Sequence, residues 1–374
     1  MKVIITVSTY YPLTDGVQSV TQYHAEGLSK LGHDVTVVTS LRSGMADVEW
    51  HNGVKIVRYN IQTKHALHVG DKQGYRNLVV DLCKDADVLV NISTQTATTE
   101  VLFPILDDLK VKKILYMHGM HDFSWRQYDI MYSLHKIWNN IRWGWDYLLN
   151  GKYLKKYDEV IQLHDFDIAT TFFKDKYNID SVIIENAAED IFFEKSGNQC
   201  GNYLLNVSNF DSRKNQEFIL EAYYKSNQKN MDLILVGSVK NEYSKYLSTL
   251  KVEFDKKYGE RNVKILEKVP REEIAKLVQQ SNIFLLGSKW EAFPIAIVEA
   301  MAAKRPFIST DVGIVRFLPG GVTINTIDEM VYWIDLFSKN PKIADEYGKI
   351  GGEYAENNFN IKGKVALLDD IIRR

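Results

Sequence analysis

Short runs of apolar, largely β-branched residues recur along the first half of the chain: KVIITV (2–7), DVTVVT (34–39), VKIVRY (54–59), DVLVNI (87–92), KILYMH (113–118), EVIQLH (159–164) and SVIIEN (181–186). Consecutive apolar positions over this length fit strands buried on both faces. Between most of them the apolar residues fall three and four apart, as in 17–31 and 97–110, and that spacing predicts helices. Strands alternating with helices predict a parallel sheet covered by helices. The rhythm restarts after Asn186 with YLLNVS, MDLILVGS, VKILEKV, NIFLLGS and PFIST, which predicts a second sheet of the same architecture. Polar residues and glycines in NAAEDIFFEKSGNQCGN (186–202) interrupt the pattern and read as the linker. Two Rossmann-like α/β domains, 1–185 and 186–357, are therefore expected to face each other across a cleft. The closing FNIKGKVALLDDIIRR reads as a helix whose apolar positions require docking.

One stretch departs from this rhythm. Residues 121–157 hold Trp125, Trp138, Trp143 and Trp145, four of the seven tryptophans. Met131, Leu134, Trp138, Ile141, Trp145 and Leu148 repeat at steps of three and four, so they share one helix face, which is expected to be core. Off that face lie Tyr132, Trp143, Lys136, Arg142 and, further on, Lys152, Lys155 and Lys156. Such an aromatic and basic mixture suits a membrane interface, or a solvated wall over an acceptor groove.

Composition narrows the function classes. At 374 residues, 45% hydrophobic and 25% charged, the chain has material for two ordinary cores. With 46 Lys+Arg against 48 Asp+Glu there is no global charge pulling toward nucleic acid. Two distant cysteines, Cys83 and Cys200, offer neither a disulfide framework nor a thiolate metal site and fit a reducing cytoplasm. The opening MKVIITVSTYYPL lacks a cleavage-site pattern, and no apolar run approaches about 18 residues, so neither a signal peptide nor a membrane span is expected.

The chemistry is concentrated in SKWEAFPIAIVEAMAAKRPF (288–307), where Glu291 and Glu299 sit among apolar residues. An ionised carboxylate is costly to bury unless it is paired, so two of them here call for partners or ligands. NIFLLGS reads as a buried strand, Lys289 to Phe293 as a loop and Pro294 as the first residue of a helix. Glu299 then lies about two turns into that helix, and its N-terminus suits phosphate oxygens. Glu291, the EAFP loop and Glu299 resemble the E-x7-E signature of retaining GT-B glycosyltransferases of family 4, the glycogen-synthase-like group. Further likenesses extend over nearly the whole chain. Residues 8–40 resemble that family's opening strand, glycine loop and first helix. YMHG (116–119) resembles the strand end with its active-site histidine, IENAAEDIFF (184–193) its interdomain segment, and VSNFDSRKNQEFILEA (207–222) the first strand, loop and helix of its donor domain.

The resemblance implies a GT-B fold whose C-terminal helix, about 358–374, returns to the N-terminal domain. It further implies a metal-independent, retaining transfer of a hexose-type sugar from a nucleoside diphosphate sugar, UDP-sugar first among them. The acceptor would be a hydroxyl of a glycan or lipid-linked glycan, as in surface polysaccharide assembly, at the inner face of a cytoplasmic membrane. Carried over by position, Glu299 would bind the ribose hydroxyls and Glu291 the transferred sugar. Main-chain groups of Ala292, Phe293 and Ile295 would help hold sugar or diphosphate. Lys214 would neutralise the diphosphate, Gly16 would let backbone approach it closely, and His118 would contact the sugar and acceptor region. In the family the leaving phosphate is thought to take the acceptor proton, leaving positioning and charge to carry catalysis.

There are departures. Asn209 stands where the family has arginine, with Arg213 the candidate substitute, and Ala292 replaces a glycine. A competing D-x-D pattern, Asp165 and Asp167 in HDFD, would suit a divalent cation, but Asp165 reads more simply as the N-cap of the helix FDIATTFFKDKY. Two other functions fit the same residues: a catalytically silent nucleotide-sugar-binding subunit, and a nucleotide-sugar epimerase.

Overall fold

In the computed structural model, which describes residues 1–13, 16–125, 133–194 and 201–374, the apolar runs form the strands of two sheets. Contacts divide the chain into two units, Met1–Glu185 with Lys362–Arg374, and Asn186–Ile361.

In the first unit the strands are β1 (Lys2–Val7), β2 (Asp34–Ser40), β3 (Val48–His51), β4 (Val54–Tyr59), β5 (Ile61–Lys64), β6 (Leu67–Gly70), β7 (Val88–Ile92), β8 (Lys112–Tyr116), β9 (Glu159–Gln162) and β10 (Val182–Ile183). The helices are α1 (Gly16–Lys30), α2 (Lys72–Cys83), α3 (Ala97–Glu100), α4 (Ser133–Leu154) and α5 (Ile168–Tyr177). Among the described residues the main sheet runs β10-β9-β8-β7-β1-β2-β4-β3. Its ladders are parallel apart from the edge pair β3/β4, while β5 and β6 form a separate hairpin. β1 pairs β2 on one side and β7 on the other, Val3 opposite Val35 and Val88, so the strand order reverses between β1 and β7. Ile4, Val38, Leu89 and Leu115 lie fully buried in this core.

The second unit contains β11 (Tyr203–Val207), β12 (Asp232–Gly237), β13 (Val263–Glu267), β14 (Ile283–Leu286), β15 (Phe307–Thr310) and β16 (Gly321–Ile324). Its helices are α6 (Gln216–Lys225), α7 (Glu242–Tyr258), α8 (Arg271–Gln280), α9 (Ile295–Ala302), α10 (Ile327–Lys339) and α11 (Pro341–Asn358). The sheet is parallel, in the order β13-β12-β11-β14-β15-β16, around a core that includes Leu204, Leu235, Leu285 and Ile308. Here the order reverses between β11 and β14, which pair directly. In open parallel sheets such a reversal leaves a crevice beyond the carboxyl ends of the two strands, where ligands bind. The final helix, α12 (Ile361–Arg373), buries Val365, Leu368, Ile371 and Ile372. It packs so closely that a Cβ on Gly27 of α1 would lie 2.5 Å from Val365, which explains a glycine inside that helix.

Four local expectations are corrected. Residues 97–110 do not form one helix: α3 is followed by a 3-10 turn, Phe103–Ile105, at Pro104, which has no N–H to continue an α ladder. The helix at 168 is capped by Asp167, whose carboxylate accepts from Ala169 N, and not by Asp165. Residues 186–194 do not hang as a loose linker, since Ala187, Ala188 and Phe192 are buried and Ala188 N donates to Phe359 O (2.9 Å); residues 195–200 lie outside the described residues.

The largest correction concerns α4. Its expected core face is exposed, with Leu134 at 83%, Trp138 at 54%, Ile141 at 51%, Trp145 at 59% and Leu148 at 74%. Trp143, expected off the core, is buried together with Tyr147, Asp146 and Leu154. Steps of three and four occur on both sides of this helix, so spacing grouped each face correctly without saying which one faces the sheet. Gly151 explains the choice physically: Tyr177 fills the space where its Cβ would stand, so this side lets α5 approach. Met131 and Tyr132 lie outside the described residues.

Candidate functional site

The loop between β14 and α9 begins at Gly287 and carries Glu291, which is buried. Its Oε1 accepts hydrogen bonds from Lys214 Nζ at 2.5 Å and Ser288 Oγ at 2.7 Å, and the Arg213 guanidinium lies 3.6 Å from Oε2. Lys214 and Arg213 come from the loop between β11 and α6, on the neighbouring strand. Though adjacent in sequence, both reach the same carboxylate. Arg213 also donates to Trp290 O (3.0 Å) and lies over the Trp290 ring, while Lys289 N donates to Arg213 O (2.8 Å), lacing the two loops together. Asn209 is exposed near the start of the β11–α6 loop, its carbonyl accepting from Gln216 Nε2 at 2.9 Å.

Several polar side chains fix the Glu291 loop. Asn215 Nδ2 donates to Gly287 O (3.0 Å), Thr310 Oγ1 to Ser288 O (2.6 Å) and Asn186 Nδ2 to Phe293 O (3.0 Å). Gly313 lies beneath the loop with φ +54°, and a Cβ there would sit 2.1 Å from Ala292 O. Only glycine combines that conformation with that approach. Pro294 is the N-cap of α9, so the helix starts at Ile295, one position after the expected start, and Ala292, Phe293 and Ile295 surround the helix N-terminus.

Glu299, on α9, is buried and makes an ion pair with the guanidinium of Arg271, the first residue of α8. The other side of Arg271 is held by Glu189 (Nε to Oε1, 2.7 Å), and the guanidinium stacks 4.6 Å over Phe192. Burial pushes the Glu299 carboxyl above its ordinary range, and Arg271 opposes that rise. Burial also works against the charge on Arg271, but Glu299 and Glu189 outweigh it and hold the guanidinium protonated. Each buried carboxylate thus has its own cation. An ion pair of this kind is strongly destabilised when one member is lost.

The remaining expected residues lie in the first unit. Gly16 is exposed and opens α1, in the connection after β1. His118 follows β8, its N–H donating to Ser93 Oγ (3.3 Å) and its ring stacked on Tyr116 at 4.6 Å. Among the described residues, Nε2 of His118 is buried without a hydrogen-bond partner. Burial pushes its pKa down to about 3, so the imidazole is neutral at physiological pH. At the hydroxyl of Tyr116, His24 Nε2 lies 3.3 Å from the oxygen. Burial, then the charges of His118 and Lys364, lower His24 to about 3 as well.

The structure therefore joins Arg213, Lys214 and Glu291 by direct contact and places Glu299 on the helix that follows. Sequence reasoning missed Arg271, Ser288, Asn186 and Gly313. A signal for Arg271 existed: KVPREE repeats the strand, short loop and helix-start pattern of the Lys214 region. Among the described residues no three His, Cys, Asp or Glu side chains cluster as a metal site.

The paired carboxylates, flanking cations and helix N-terminus all belong to one segment of the second unit. Residues 188–318 match the family described as glycosyl transferases group 1. A probable sucrose-phosphate synthase from Thermosipho melanesiensis is 35% identical over 153 residues, which is 39% of this chain and 34% of that relative's length. The match thus spans about a third of the curated relative. Among solved structures, sucrose-phosphate synthase from Thermosynechococcus elongatus superposes with a TM-score of 0.77 at 16% identity, covering 100% of this chain and 98% of that one. Anabaena HepE, solved with UDP and glucose, gives 0.70 at 14% identity, covering 100% and 99%. The fold is accordingly the two-domain α/β GT-B fold of glycosyltransferases, and the group 1 match falls on the candidate site.

Proposed function

We propose that the chain is a retaining, metal-independent glycosyltransferase of the family 4 type, moving a hexose-type sugar from a nucleoside diphosphate sugar to an acceptor hydroxyl. The observation that carries this reading is the pair of buried carboxylates, each neutralised by its own cation, beside the β11/β14 reversal. UDP-sugar is the first donor to test, because HepE was solved with UDP and the synthase relatives share the fold. The acceptor class is a glycan or lipid-linked glycan, with phosphorylated sugars added to the panel on the strength of those synthases' name. Cytoplasmic location, with peripheral contact at the membrane's inner face through residues 121–157, belongs to the same proposal.

In this reading Glu299 accepts from the ribose hydroxyls, with Arg271 as its counter-cation. Lys214 turns from Glu291 toward the diphosphate, and Arg213 beside it takes over the role of the arginine absent at Asn209. Glu291 is then released to accept from sugar hydroxyls. The acceptor oxygen attacks the anomeric carbon on the face that the phosphate leaves, the carbon–phosphate-oxygen bond breaks, and the acceptor proton passes to the departing phosphate. Charge stabilisation of that leaving group is the main contribution asked of the protein. His118 and Gly16 keep the parts that the resemblance implies for them.

A thermal-shift and turnover panel of nucleotides and nucleotide sugars, run in excess chelator, tests this. Stabilisation by a nucleoside diphosphate, with acceptor-dependent nucleotide release and retained anomeric configuration, is expected; a ligand at 100 times its Kd adds about 2.7 kcal/mol. Nucleotide release without acceptor would indicate the epimerase, and binding without turnover the silent subunit. Activity lost in chelator and restored by manganese would end the metal-independent reading.

A further inference from the structure

The exposed face of α4 is the largest feature that the donor site leaves unexplained. Leu134, Trp138, Ile141, Trp145 and Leu148 form one line along the helix, and Ile137 and Leu149 widen it, exposed by 42% and 62%. Single exposed apolar residues are ordinary, but a contiguous stripe of this kind marks an interaction surface. The opposite side is committed to the first unit's core, where Tyr147 contacts Phe123 and Phe172 and donates to or accepts from Thr94 Oγ1 at 2.7 Å.

Charge identifies the occupant. Residues 133–156 carry five basic side chains and one acidic one, Asp146, in a chain whose formal charge is −2. Asp146 is buried and held by Arg142 (3.2 Å) and Asn150 (2.9 Å), and Lys156 is paired with Asp107, so the outward charge at this end of the helix is that of Lys152 and Lys155. Lys152 lies four positions after Leu148 and prolongs the apolar line, and Lys155 follows directly after the last residue of α4; both are exposed. An apolar stripe with tryptophans and a cationic end complements an anionic lipid surface.

Size points the same way. Over its 22 residues α4 is about 33 Å long, and a strip about 10 Å wide offers about 330 Å². A stable dimer interface needs about 800 Å² from each partner. Among the described residues, no helix is long and apolar enough to cross a membrane. We propose that α4 lies flat in the surface of an anionic bilayer, with its Leu134–Leu149 stripe in the acyl boundary and Lys152 and Lys155 on headgroup phosphates. This rests on the membrane contact proposed above and names its surface, which is the face opposite to Trp143.

Co-sedimentation with phosphatidylcholine vesicles, with and without about one third phosphatidylglycerol, tests it on the full chain. Wild type is expected to bind the anionic vesicles, with tryptophan fluorescence quenched by lipids brominated near the glycerol end of the acyl chains. Trp138→Ser with Trp145→Ser should lower binding at least tenfold, and Lys152→Gln with Lys155→Gln should remove most of the preference for phosphatidylglycerol. Both double variants alter exposed residues and should keep the wild-type melting temperature. Wild type that binds neither vesicle overturns the membrane contact itself. Binding that survives the tryptophan replacements leaves the membrane reading standing and overturns this surface. A stripe-dependent dimer in lipid-free sedimentation velocity, without vesicle binding, gives the face to a second copy and overturns the lipid assignment.

Discussion

Lys214 has two claims on it: it neutralises Glu291 in the structure and is the cation proposed for the leaving diphosphate. A simple truncation therefore confounds catalysis with an uncompensated buried carboxylate, and the informative comparison is Glu291→Gln against Glu291→Gln with Lys214→Ala. If Lys214 stabilises the departing charge, the second replacement lowers turnover by a further factor of about 100, as for other lost transition-state donors. Steady-state rates within a few-fold of each other would move that task to Arg213. The carboxylates divide differently. Glu299→Ala should weaken nucleotide and nucleotide sugar alike by about 1.5 to 3 kcal/mol, whereas Glu291→Ala should spare the bare nucleotide and weaken only its sugar conjugate. Calorimetry with both ligands reads the difference, and equal losses on the bare nucleotide would refute the division. Glu291 and Glu299 were legible in the sequence because eight positions and one loop fix their relation. Arg271 carried a local signal as a cation at a helix start, but its pairing with Glu299 did not, because that depends on how β13 and β14 are ordered in the sheet, and no local pattern encodes that order.

Elements were legible where burial is two-sided. β1, β7, β11 and β14 are apolar runs interrupted inside the strand only by Thr6, Asn91 and Asn206, and a central parallel strand has little other way to satisfy such a run. The hairpin β5–β6 and edge strand β3 escaped because four-residue strands with exposed positions carry too little pattern. The helix α4 shows a different limit: two faces with the same periodicity compete, and the aromatic-rich face lost to the one that carries Gly151. The two faces should respond oppositely to truncation. Tyr147→Ala removes a buried ring among Phe123, Phe172 and Phe173 and should cost about 3 to 5 kcal/mol. Trp145→Ala, next to it but on the exposed face, should stay within about 0.5 kcal/mol. Urea unfolding of both variants checks this, and a large loss at Trp145 would mean that the exposed face is covered within the free protein.

At the scale of the whole molecule, the histidines divide the chain unequally. All nine lie before residue 186, and the unit Asn186–Ile361 contains none. Two of them, His24 and His118, are buried neutral against Tyr116, with pKa values pushed down to about 3. Unfolding restores each to about 6.5, so between these values the unfolded state binds more protons than the native state, and stability must fall as pH falls. From pH 7 to pH 5 the loss is about 2 kcal/mol for each histidine, in a window where ordinary carboxylates have barely begun to titrate. Other histidines face carboxylates, such as His33 with Asp369 and His68 with Glu100, so the comparison has to single out the two buried rings. Comparison with a His24→Gln, His118→Asn double variant isolates the two buried rings: the variant starts less stable but should have the shallower pH slope. Hydrogen exchange followed by mass spectrometry at pH 7 and pH 5, corrected for intrinsic rates, locates the effect. Amides of β1, β7 and β8 should lose protection on acidification by a larger factor than those of β11, β12 and β14, and the double variant should remove most of that difference. Equal loss in both sheets, or an unchanged difference in the variant, would show that His24 and His118 are protonated in the native protein and do not set its acid sensitivity.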